Sequence, residues 1–122
     1  MAKGYAVVVG LVLLLVGILG FVKSDMTIMG MTLRFNPIHN SIHLLSGLVG
    51  LAAGLAGGGS GAKTFAQVFG VIYTLVALAG FAGMPAIVVT TLNLNTSYNV
   101  IHLAVGLLGL LAGFTGAKAA TS

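Results

Sequence analysis

The sequence predicts an all-α integral membrane protein, with four transmembrane helices arranged as two parallel two-helix repeats in a pseudo-twofold bundle. Three observations carry that prediction. Hydrophobic residues fill 58% of the 122 positions and charged residues 5%, with 19 glycines besides, where an ordinary soluble domain is about 25% charged. Four apolar stretches come close to the roughly 20 residues that a helix needs to cross a bilayer. The second half of the chain also repeats the first in register. Five basic residues and the single acid Asp25 cannot build a water-facing shell.

The first span is read over residues 4–22. Lys3 ahead of an apolar run would also suit a secretory signal, but Lys23, Ser24 and Asp25 stand where a small-x-small cleavage site belongs. The second span covers 37–57 and opens at Asn36-Pro37. Asparagine there accepts from a free backbone N–H, and proline at the first helical position loses only a donor that had no partner. Residues 57–63, Gly-Gly-Gly-Ser-Gly-Ala-Lys, read as a flexible turn with a basic end. A third span over 64–84 and a fourth over 96–116, capped by Asn95, complete the set.

The remaining connections, 24–35 and 85–94, are expected to lie as extended segments on the bundle at the membrane interface, with Met26, Met29 and Met31 as a hydrophobic cover. Lys3, Lys63 and Lys118 fall on the side of the termini, against Lys23 and Arg34 on the other. The excess of positive charge places the termini in the cytoplasm.

Self-comparison shows the duplication. Residues 5–21 align with 65–81 at a shift of 60, with 7 of 17 positions identical, and residues 36–57 align with 95–116 at a shift of 59, with 12 of 22 identical. The second block preserves Asn36, Asn40, His43, Gly47, Gly50 and Gly54 as Asn95, Asn99, His102, Gly106, Gly109 and Gly113. Chance among apolar residues does not reproduce asparagine, histidine and glycine in register. The chain is thus one transmembrane domain, 1–122, with repeat 1 over about 4–57 and repeat 2 over about 64–116. Each repeat crosses twice, so both enter from the same side and are related by an axis along the membrane normal.

Those preserved positions step by four and three, which puts them on one stripe of each helix facing a neighbour. The small residues Gly47, Gly50, Gly54, Gly106, Gly109 and Gly113 are read as helix-packing positions, because they let backbones approach closely in lipid. Two readings stand for the polar residues above them. In the plainer one, Asn40, His43, Asn99 and His102 hydrogen-bond one another as a clasp that fixes register. In the sharper one, His43 and His102 are axial ligands of a haem or chlorophyll-type pigment, with Asn40 and Asn99 supporting them. That reading depends on packing, since glycine stripes of the second and fourth spans that met directly would leave little room for a macrocycle. A proton or ion relay stands behind both, weakened by the lack of an intramembrane carboxylate. His39 is matched by Tyr98 and not by histidine, and both are expected to anchor at the interface.

Catalysis is not expected. The chain has no cysteine and one acid, which removes cysteine nucleophiles, thiolate metal sites, paired-acid hydrolysis and acidic metal cages. No metal site and no catalytic residue are assigned. The pI near 9.9 reflects scarce acids and not a basic cluster, so nucleic acid is not an expected partner.

The run Asn36, His39, Asn40, His43, Leu44, Gly47, Gly50 and Leu51, with Gly17, Gly20-Phe21, Gly70, Gly80-Phe81 and His102-Leu103, resembles a family of small uncharacterised bacterial four-span membrane proteins. The resemblance covers nearly the whole chain and implies topology and bacterial origin; no activity comes with it. The expected protein is a non-catalytic multi-pass component of a bacterial inner or photosynthetic membrane. Its partners are lipid and either a larger membrane complex, on which it docks as an accessory subunit, or further copies of itself. A haem- or pigment-binding protein is the alternative.

Overall fold

The structure is a computed structural model that describes residues 1–23, 25–28 and 30–115. The end of the fourth expected span at Gly116, Lys118, Ser24 and Met29 lie outside the described residues. In chain order the elements are α1 (Ala2–Val22), β1 (Asp25–Ile28), β2 (Met31–Arg34), α2 (Pro37–Leu55), a 3-10 turn (Ala56–Gly59), α3 (Ala62–Ala82), α4 (Ala86–Thr91) and α5 (Thr96–Phe114). Helices α1, α2, α3 and α5 are each long and apolar enough to cross a membrane. The protein is an all-α integral membrane fold.

Helix α1 lies along α2, and α3 lies along α5; α2 and α5 form no comparable seam with each other. Both seams are built on glycine. A Cβ on Gly50 would stand 2.9 Å from the Gly10 Cα, and one on Gly109 would stand 2.8 Å from the Gly70 Cα. Lipid tails are as apolar as leucine, so helices inside a bilayer gain little from hydrophobicity and depend on dispersion at close range. The glycine stripes of the second and fourth spans therefore face the first and third spans, and not each other. Large side chains such as Leu15, Leu45, Leu75 and Leu108 point outward and are exposed, the inverse of a soluble protein and the polarity that a lipid surround requires.

The repeats join at both ends. Where α1 and α3 begin and α5 finishes, Ala2, Tyr5, Ala6, Ala62, Phe65, Ala66 and Ala112 form one buried cluster. There the Tyr5 hydroxyl donates to the Val105 carbonyl across the repeats at 2.9 Å. At the opposite end, where α2 and α5 begin, the hairpin packs Leu33 and Phe35 against Tyr98. The Tyr98 hydroxyl donates to the Arg34 carbonyl at 2.8 Å, and Asn36 Nδ2 to the Thr91 carbonyl at 3.0 Å.

The first connection is extended as expected: β1 and β2 pair antiparallel with Asp25 opposite Arg34, around a turn in which Gly30 takes φ 78°. The second is not extended. Residues 86–91 form α4, whose first bonds run from the Val88 and Val89 amides to the Pro85 carbonyl at 3.1 and 3.3 Å. β-branched residues favour strands only where a partner strand exists to take their backbone groups. With none beside them, these residues satisfy their amides locally in a helical turn. The third span ends at Ala82 and not at 84, because Gly83 adopts the left-handed conformation, φ 70°, that closes a helix.

Candidate functional site

Helix caps set up the site. The Asn36 side chain accepts from the His39 amide at 2.7 Å, and Asn95 accepts from the Tyr98 amide at 3.0 Å. Each cap fixes the first turn of its helix and turns the third residue, His39 or Tyr98, into the bundle. His43 follows His39 by four residues, one turn along the same face of α2. From α5, His102 reaches the same point.

The result is a buried group of three imidazoles. His39, His43 and His102 are 2%, 5% and 3% exposed, and one candidate ligand nitrogen from each lies within 4.8 Å of the other two. The His39 ring centroid is 4.2 Å from that of His43 and 5.7 Å from that of His102. Tyrosines wall the group: Tyr98 stacks on His102 at 5.8 Å and lies 5.0 Å from His39, while Tyr73 is 5.4 Å from His102. The Nδ1 atoms of all three histidines are buried without a hydrogen-bond partner. Leu92 lines the same cavity as the three histidines.

Cavities flank the cluster on two sides. One of about 270 Å³, nearly all apolar, lies between α1 and α5 and reaches His43, Tyr73, Tyr98 and His102. Another of about 180 Å³ lies on the side of α2 and α3 and reaches all three histidines.

The arrangement differs from the sequence reading in two respects. His39 and Tyr98 are not interfacial anchors; both are buried, Tyr98 being 3% exposed, because Tyr98 packs under Leu33 and Phe35 and His39 packs among Tyr98, His43 and His102. Nor do Asn40 and Asn99 close a clasp with His43 and His102. Their side chains rest on α1 and α3, where a Cβ on Gly20 or Gly80 would fall onto the amide of Asn40 or Asn99. Among the described residues the Asn40 and Asn99 Oδ1 atoms have no hydrogen-bond partner.

Of the residues singled out in the sequence, the structure brings His43 and His102 together and sends Asn40 and Asn99 to the helix seams. The six glycines Gly47, Gly50, Gly54, Gly106, Gly109 and Gly113 all lie at those seams. Sequence reasoning missed His39, whose partner in the repeat is tyrosine. Its signal was the spacing His39-x-x-x-His43, which places two imidazoles on one helical face and is a known metal-ligand spacing.

No curated protein and no solved structure matches the chain. A family model does, over residues 3–115, and the protein belongs to the family described as a domain of unknown function, DUF4383.

Proposed function

We propose that the protein is a non-catalytic subunit of a bacterial inner or photosynthetic membrane, with its termini in the cytoplasm, that works in assembly with a larger membrane complex or with further copies of itself. The observation that carries this reading is how the bundle spends its polar groups. Among the described residues no carboxylate stands within the spans, and the imidazoles occupy one end only. The other end is filled by Ala2, Tyr5, Ala6, Phe65 and their neighbours, which argues against a polar route through the bundle and so against solute conduction. What remains for the outer surface is apolar side chains, suited to lipid and to other spans. In the sequence Lys3, Lys63 and Lys118 fall on the side of the termini and outnumber Lys23 and Arg34 on the other, three to two, which supports the orientation.

Native mass determination after gentle extraction tests the assembly. A species well above the 12.2 kDa of one chain, once the detergent is subtracted, is expected. A folded lone monomer from native membranes would remove the reading. Labelling of single cysteines at position 3 and position 23 from either side of sealed vesicles tests the orientation, position 3 being expected to react from the cytoplasmic side.

His43 and His102 beside an apolar cavity support a second reading, axial ligation of a haem or chlorophyll-type pigment. The third imidazole weighs against it. A macrocycle fills the plane across the axis between two axial nitrogens, and the His39 ligand nitrogen lies within 4.8 Å of both the others, inside the space that the ring would need. An absorption spectrum of natively purified protein decides: a band lost on replacing both histidines would establish the pigment, and a colourless protein would remove it.

A further inference from the structure

We propose that His39, His43 and His102 form a three-imidazole site for a late first-row transition-metal cation, and that monovalent copper is the occupant which their surroundings favour. This does not rest on the assembly reading above.

The geometry is the first argument. Three nitrogens bound at about 2.1 Å to one ion in a tetrahedral arrangement stand about 3.4 Å apart, and the three candidate nitrogens already lie within 4.8 Å of one another. Two ligands share one face of α2 and the third comes from α5, so side-chain rotation is the movement that would bring the three nitrogens together. Three protein ligands leave a fourth position open.

The second argument is satisfaction. Three buried Nδ1 atoms without a partner each carry a desolvation cost that no hydrogen bond offsets. A cation that the Nδ1 atoms ligate would take those lone pairs. The cavities on both sides give an entry path and room for a fourth ligand.

Charge narrows the choice of ion. Imidazole suits zinc, copper, iron and nickel, but all three ligands are neutral, and the one acid in the sequence, Asp25, stands in the hairpin and not among them. Burial cost grows as the square of the charge, so a monovalent ion meets about a quarter of the penalty of a divalent one. Of these metals, copper has a stable monovalent state that accepts two or three neutral nitrogen ligands.

The test uses the full chain in detergent or nanodiscs under reducing, oxygen-free conditions, with Cu(I) titrated against a chromophoric chelator and Zn(II) titrated in parallel. One Cu(I) per chain is expected, and His39→Ala, His43→Ala and His102→Ala should each weaken it tenfold or more. His102→Gln, which keeps size and polarity, should do the same while retaining the helical circular dichroism of the parent. Copper-edge X-ray absorption on the parent needs no variant, and the outer-shell scattering of imidazole is expected. Failure to withhold Cu(I) from the chelator, unchanged affinity in the variants, or a sulfur shell from methionine would overturn the site. Histidine-dependent Zn(II) binding tighter than that of Cu(I) would overturn the copper assignment.

Discussion

Gly20 is the floor on which the Asn40 side chain rests, for a Cβ at position 20 would overlap the Asn40 amide. The same relation holds between Gly80 and Asn99. Gly20→Ala and Gly80→Ala should each cost about 1–3 kcal/mol, the range for forcing extra volume into a packed interior. Gly4→Ala is the control, since a Cβ there meets nothing within 4 Å. Unfolding in bicelles or mixed micelles measures all three; alanine is the better helix former, so no loss is expected at position 4, and an equal loss there would show that the effect is not specific to the seam.

Gly109 and Tyr5 form a second coupled pair. A Cβ on Gly109 would come 2.6 Å from the Tyr5 hydroxyl oxygen, the group that donates to the Val105 carbonyl. Tyr5→Phe should lose about 0.5–1.5 kcal/mol, one net hydrogen bond. Gly109→Ala should lose more, because the Gly70 backbone also stands in the way. In a double-mutant cycle the two losses should not add; strict additivity would mean that Tyr5 gives way freely.

Both caps are testable by stability. Asn36→Ala and Asn95→Ala each remove a side-chain acceptor from the first turn of a spanning helix, and each should cost about 1 kcal/mol. If Asn36 also positions His39, the Asn36→Ala variant should bind Cu(I) more weakly than the parent, and unchanged binding would confine the cap to stability.

The histidines should behave oppositely to the glycines. Replacing a buried polar group that has no partner with an apolar one of similar shape is neutral or stabilising, so His43→Leu should leave the metal-free protein as stable as the parent or more so. Thermal unfolding of metal-free samples measures this. A large loss in His43→Leu would mean that the imidazole is held by bonds essential to the fold, as the clasp reading required.

Much of the fold is legible in the sequence because membrane helices obey few rules. The spans follow from apolar length, and the starts of α2 and α5 follow from Asn36 and Asn95, whose capping chemistry is local. Residues 86–91 were less legible: the β propensity of Ile87, Val88 and Val89 says nothing about whether a partner strand is present, and among the described residues none pairs with them. At the candidate site, His43 and His102 stood out because the repeat preserved them. His39 did not, because a repeat comparison hides a residue that only one copy carries.

By itself the sequence determined the solvent, the spans, the duplication and the stripe of small residues on each helix, all properties of composition and of the 3.6-residue period. Periodicity defines a face but not what lies against it. Only the tertiary structure decided that the glycine stripes of the second and fourth spans meet the first and third. It also decided that Asn40 and Asn99 go to those seams, and that His39 turns inward to join His43 and His102. Each of these depends on contact between segments remote in the chain, where close approach of backbones settles which side chains are left to face one another.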